Sequence, residues 1–276
     1  MDDGGLDPDE ADIEASRAPL LDHLTELRSR LLIAVAAILA ATVVCFAFAT
    51  PIYDFLVKPY EEAIVRVAAE RHEPPPPVEM VYTHPMEFFL SKLKLALFGG
   101  LIAAFPIVAW QIYAFIAPGL YRRERKAAAP FLIGAPAMFA AGAAFAYYVA
   151  LPFAMRFALG TELNTGTVHI KLLPKVNEYL SFVITLVLAF AACFQLPVAL
   201  ALLARAGLVG AAALRKGRRF AIVGIAAFSA CFTPPDVISM TIMAAPVYLL
   251  YEISIWLVWA IERAHAKAEA AHLASA

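Results

Sequence analysis

The sequence predicts an all-α polytopic membrane protein with six transmembrane helices and both termini in the cytoplasm. Three observations carry this. Of 276 residues, 62% are hydrophobic and only 16% charged, against about 25% charged in an ordinary soluble domain. The stretches 31–53, 95–121, 127–155 and 179–204 contain no Asp, Glu, Lys or Arg, and each exceeds the ~20 residues that cross a bilayer as a helix. Counted on alternate sides, 14 of the 22 Lys and Arg residues gather on one side and six on the other, which the positive-inside rule reads as N-in and C-in.

The elements follow in chain order. The first fourteen residues hold seven carboxylates and no Lys or Arg, the opposite of a secretory n-region, so 1–19 reads as a disordered acidic tail. Leu20, Leu21, Leu24, Leu27 and Leu31 then recur at helical spacing, the pattern of a short amphipathic helix at the membrane surface. The spans are expected at about 31–50, 88–116, 128–151, 179–204, 220–232 and 238–261, within a membrane domain of 20–262 followed by a cytoplasmic tail of 263–276. The Thr233-Pro234-Pro235-Asp236 run separates the last two, because adjacent prolines remove two backbone donors and favour a turn. A fifth span of ~13 residues rises only ~20 Å, short of a hydrocarbon layer of ~30 Å. The segments 51–87, with its Pro74 to Pro77 run, and 152–178 fall outside the membrane.

Several function classes lack their signature. A formal net charge of −1 gives no global reason for nucleic-acid binding. No GxxxxGK[ST], HExxH, GxSxG or GxGD occurs, so nucleotide-driven pumping and the common hydrolase chemistries have no motif to rest on. The six histidines are scattered without metal-ligand spacing. No enzyme activity, cofactor or metal is expected.

The candidate residues are polar groups in apolar surroundings. Glu26 and Arg30 sit four apart in the amphipathic stretch, a helical ion-pair spacing. Glu124 stands among Arg122, Arg123, Arg125 and Lys126, after an apolar shelf of Phe115, Leu120 and Tyr121. It either neutralises its neighbours or is presented to a cationic partner. Gln195 beside Pro197 and Glu252 in the last span lie at membrane depth, where polar side chains are costly and face protein or water. Gln195 either bridges carbonyls freed by Pro197 or serves function, and Asp236 suits an N-cap of the sixth helix. A solute transporter built on a Gln195 and Glu252 midplane site is the alternative from a different class.

Five stretches resemble the TatC family of twin-arginine protein translocase subunits: His23-Leu24-x-Glu26-Leu27-Arg28-x-Arg30-Leu31; Trp110-x4-Phe115-Ile116-Ala117-Pro118-Gly119-Leu120-Tyr121-x2-Glu124-Arg125; Ala144-Phe145-Ala146-Tyr147-Tyr148; Tyr179-Leu180-Ser181-Phe182; and Thr233-Pro234-Pro235-Asp236-Val237. The resemblance runs from about Leu20 to Ile261. It implies a concave, glove-like six-helix bundle with short fifth and sixth helices. It also implies a receptor in the bacterial cytoplasmic membrane that binds export signals bearing paired arginines. TatA-type and TatB-type single-span subunits would be its partners in an oligomeric complex driven by the proton-motive force. By carry-over, Glu124 is the main guanidinium acceptor and Glu26 the second. Phe115, Leu120 and Tyr121 pack against the peptide, and Arg28 and Arg125 belong to the same surface. Pro59, Phe88 and Phe89 match positions in an outer cap. Thr233 and Asp236 mark the outer end of a partner surface. Gln195 stands where many relatives carry glutamate, which leaves it hydrogen bonding to a partner but no ionisation.

Overall fold

The computed structural model describes the backbone of residues 8–116, 122–160, 163–164, 169–170, 174–232 and 237–274. The described chain is almost entirely helical. Helix α1 (Pro8–Ala47) is followed by α2 (Ala49–Glu70) and α3 (Glu87–Ile116). Helix α4 (Arg122–Phe145) continues through a π-helical turn, Ala146–Ala150, into α5 (Leu151–Gly160). Two-residue strands β1 (Leu163–Asn164) and β2 (His169–Ile170) pair antiparallel. Then come α6 (Val176–Cys193), α7 (Leu196–Arg205), α8 (Ala211–Phe232) and α9 (Val237–Ala274). Five stretches are long and apolar enough to cross a membrane: Leu24–Ala47, Glu87–Phe115, Leu132–Gly160, Val176–Arg205 and Met240–Ala264.

The structure departs from the sequence reading in five places. Residues 8–19, expected as a disordered tail, belong to α1. Pro8 stands at the first helical position, where proline's missing N–H leaves no hydrogen bond unmade. The outer segment 51–87, given no helix, contains all but two residues of α2, which lays Leu56, Tyr60, Ala63 and Ile64 on the core. The third span does not stop at 151 but runs on through the π turn to Gly160. The fourth is broken at Phe194 and Gln195. Pro197 has no N–H for the Cys193 carbonyl, and the last turn tightens as the Gln195 N–H bonds Ala192 O at 3.0 Å.

The fifth departure concerns the last two helices. Helix α8 begins at Ala211 rather than 220, because Arg215, Lys216, Arg218 and Arg219 are good helix formers. The Glu262 carboxylate also accepts the orphan Ala211 N–H at 2.9 Å. Helix α9 has 38 residues and an apolar stretch of 25, so the sixth span is not short. The apolar part of α8 alone, Phe220 onward, keeps the expected shortness.

The buried core lies where α2, α3, the π turn, α5 and α6 meet, around Leu95, Leu151, Leu180, Leu186 and Phe190. Helices α1 and α3 form the closest long pair. A Cβ on Gly100 would stand 2.6 Å from the Thr42 backbone nitrogen, so only glycine allows this approach. Phe46 meets Phe89 edge-on at 6.3 Å near one end of the pair, and Phe105 stacks on Phe139 of α4 at 3.6 Å. Val81 forms a parallel bridge with Lys175, its carbonyl accepting the Val176 N–H at 3.0 Å. This ties the loop before α3 to the start of α6.

Two helices end in the same left-handed motif with different residues. After α7, Gly207 has φ +70°, with its N–H on Ala204 O and the Leu208 N–H on Leu203 O. After α2, His72 takes φ 57°, with its N–H on Ala69 O and the Glu73 N–H on Ala68 O. Both are Schellman ends, and only the first uses the residue without a Cβ penalty. His72→Gly should therefore stabilise the protein by about 0.5–1 kcal/mol, and Gly207→Ala should destabilise it by about 1 kcal/mol. Thermal unfolding in detergent reads both. In the same assay Gly100→Leu should separate α1 from α3, whereas Gly134→Ala, inside α4 with nothing within 4 Å of the new Cβ, should raise the midpoint by the helix-propensity gain of about 0.5–1 kcal/mol.

Candidate functional site

Thr42 opposite Gly100 and Phe46 against Phe89 make α1 and α3 antiparallel. Glu26, near the start of the described side chains of α1, therefore lies at the same end of the pair as Phe115, in the last turn of α3. Glu26 is half-buried and takes Arg30 Nη2 at 2.6 Å and Nε at 2.9 Å, both on Oε1. Arg28 is exposed one face away, and Phe115 is half-buried. Leu24, Leu27 and Leu31 are exposed, so the apolar stripe of the amphipathic stretch is not covered by the rest of the described fold.

Across this end of the bundle, Glu124 and Arg125 occupy the first turn of α4, which begins at Arg122. A carboxylate there is favoured by the unpaired N–H groups and the positive end of the dipole. The Glu124 and Arg125 side chains, and Leu120 and Tyr121 altogether, lie outside the described residues, as do Thr233 and Asp236 with their expected turn and N-cap.

At the opposite end, Pro59 is buried inside α2. Tyr147 donates to Phe55 O at 2.6 Å and Tyr179 to Leu56 O at 2.7 Å, so two phenols from the bundle grip consecutive carbonyls of α2. Burial, and then the Asp54 carboxylate, raise the Tyr53 phenol above its ordinary value, and its hydroxyl meets Met80 Sδ at 3.3 Å. Arg156 pairs with Glu70 at 2.5 Å, and Arg71 Nη2 donates to Leu159 O at 2.9 Å, fastening α2 to α5. Phe88 and Phe89 open α3 half-exposed, with the Lys92 ammonium 5.6 Å from the Phe88 ring.

The polar residues at membrane depth are engaged. Gln195 Nε2 donates to Ala135 O of α4 at 3.0 Å. It therefore joins two helices rather than capping the carbonyl freed by Pro197. Glu252, the central residue of the α9 apolar stretch, takes Arg218 Nη2 at 2.7 Å and the Tyr248 hydroxyl at 2.9 Å. Lys94 of α3, which the sequence reading leaves unassigned, donates to Asn177 Oδ1 at 2.9 Å and Ser181 Oγ at 2.8 Å. Tyr147, Tyr179 and Lys94 escape sequence reasoning as tertiary donors. The proline in α2 is the one sequence signal for the first.

A family model described as "Sec-independent protein translocase protein (TatC)" matches residues 22–246. The chain belongs to the TatC family. A TatC from Magnetococcus marinus is 41% identical over 260 residues, covering 94% of this chain and 90% of that protein. One from Escherichia coli K12 is 35% identical, covering 86% and 87%. A crystal structure described as the twin-arginine translocase receptor TatC shares 36% identity at a TM-score of 0.70, over 86% of this chain and 97% of that one. Family membership makes the chain a component of a Sec-independent protein translocase and a membrane protein.

Within this TatC fold, the Arg218–Glu252 contact is one of several ties between α8 and α9. With 44% and 21% of the two side chains exposed, solvent weakens the pair, and a double-mutant cycle of Arg218→Ala and Glu252→Ala should give a coupling of about 0.5–1 kcal/mol by thermal unfolding. A coupling near zero would mean that the two side chains do not hold the helices together.

Proposed function

We propose that this chain is the signal-receptor subunit of a twin-arginine translocase in the bacterial cytoplasmic membrane, with both termini in the cytoplasm. Signal peptides of folded preproteins bind at the end of the bundle formed by Glu26, Phe115 and the start of α4. TatA-type and TatB-type single-span subunits complete the complex, and the proton-motive force drives export.

The observation that carries the reading is Glu26. Its carboxylate already holds a guanidinium, and it does so through Oε1 alone, leaving Oε2 without a partner among the described residues. A second carboxylate, Glu124, opens α4 at the same end. Two guanidiniums side by side ask for acceptors of this kind, since planar, charge-assisted hydrogen bonds suit arginine and are not reproduced by lysine. Phe115, Leu120 and Tyr121 give an apolar shelf for the peptide beside the arginine pair. The excess of Lys and Arg on this side supports its cytoplasmic placement.

The test is binding of the purified protein to a signal peptide with paired arginines and to its paired-lysine version. Wild type should prefer arginine. Glu124→Gln should weaken the arginine peptide by about 10- to 100-fold, the range for a lost hydrogen bond to a charged group, and erase the preference. Glu26→Gln should weaken it less, because Arg30 already occupies one oxygen. Equal affinity for both peptides in well-folded protein, alone and with its single-span partners, would remove these carboxylates from recognition.

A further inference from the structure

Pro59 breaks the hydrogen-bond ladder of α2 at a defined atom. In a regular helix the N–H of residue 59 would bond the carbonyl of Phe55. Proline has no N–H, and its ring pushes that carbonyl off the axis. The Phe55 oxygen must therefore find another donor, and it finds the Tyr147 hydroxyl at 2.6 Å. The Tyr147 ring lies on the Phe55 ring itself, centroids 4.3 Å apart and planes within 6°. Tyr147 is 8% exposed, so its hydroxyl is committed inside the fold and not to the surface.

The placement of Tyr147 is also defined. It is the second residue of the π-helical turn between α4 and α5. Such a turn inserts a residue into the helical register and re-aims the side chains around it, and π turns occur frequently at functional sites. Tyr147 stands in a helix that enters the bundle, and Pro59 in the helix that covers its outer end.

We propose that Tyr147 is the positioning residue through which Pro59 acts: its hydroxyl replaces the N–H that proline lacks and so locks α2 onto the outer end of the bundle. The proline creates the vacancy, and the phenol makes filling it conditional on the cap being docked. This lock does not rest on the signal-receptor reading, since it concerns the opposite end of the molecule.

A pair of substitutions separates this lock from ordinary packing. Tyr147→Phe keeps the stacked ring and removes only the donor. In the full-length protein, amide hydrogen exchange of α2 should rise about tenfold, and export by cells that depend on this chain should fall. Pro59→Ala restores the N–H to the helix, so the hydroxyl becomes redundant. The double variant Pro59→Ala with Tyr147→Phe should therefore exchange and export close to the Pro59→Ala protein. Tyr179→Phe is the contrast. Its acceptor, Leu56 O, has the Tyr60 N–H as its normal helical donor, so Pro59→Ala should not rescue it. If Tyr147→Phe fails to accumulate in the membrane, the amount of inserted protein becomes the readout, and the double variant should restore it. Equal losses from Tyr147→Phe in the wild-type and Pro59→Ala backgrounds, or no loss in either, would overturn the proposal.

Discussion

A backbone carbonyl that a proline frees and the fold then buries needs a donor from elsewhere, because an unpaired buried acceptor is costly. Two prolines of the described chain show this in different ways. Phe55 O, left open by Pro59, draws Tyr147 from the π turn. At Pro197 the ladder breaks into α6 and α7, and Gln195, in the break, reaches across to Ala135 on α4. At Pro59 a local defect thus becomes a contact between distant segments, and at Pro197 the broken helix carries a tie to α4 beside the break.

The same constraint explains what can be read from the sequence. Uncharged runs and the Lys and Arg asymmetry are properties of the chain itself, and they locate the five described apolar stretches to within a few residues at most ends. Helix α2 escapes because it is neither long and apolar nor charged throughout. Its amphipathic face, Leu56, Tyr60, Ala63 and Ile64, is recognisable by spacing, but Pro51 and Pro59 argue against a helix. The π turn leaves no pattern, since inserting one residue into a fully apolar helix changes no periodicity that composition reveals. Of the site, Glu26 with Arg30 is legible because the two are four residues apart on one helix. Arg218 with Glu252, and Tyr147 with Phe55 O, are not, because sequence separations of 34 and 92 encode nothing about proximity until the fold is known.

The α8–α9 corner shows how charge and length act together. Glu252 is the centre of a 25-residue apolar stretch, yet its partner Arg218 lies in the basic first half of α8. The polar boundary of this corner is therefore drawn to the middle of α9, while α3 carries 29 apolar-rich residues, about 43 Å of helix. Beside α8 only ~13 apolar residues, about 20 Å, remain to face hydrocarbon of ~30 Å. A mismatch of this kind is ordinarily relieved by local thinning of the bilayer or by snorkelling of flanking side chains. At the start of this apolar part the Arg219 guanidinium lies over the Phe220 ring, 4.8 Å from its centre. Of the two helices expected to be short, only α8 has a short apolar part, so the mismatch is confined to this corner rather than spread over half of the molecule.

These contacts also weigh between the receptor and a small-solute transporter. A midplane solute site requires polar groups with unspent hydrogen-bonding capacity facing a cavity. Glu252 spends one oxygen on Arg218 and the other on Tyr248, and the Gln195 amide spends its donor on a backbone carbonyl. These residues act as internal ties, and a solute would have to displace bonds that hold helices together. At the other end of α1, Glu26 keeps one oxygen unengaged among the described residues, while the exposed Leu24, Leu27 and Leu31 continue an apolar surface beside it. Unspent polar capacity next to uncovered apolar area is what an extended peptide with a charged pair and an apolar stretch would use. The fold has placed it at a surface rather than in its core.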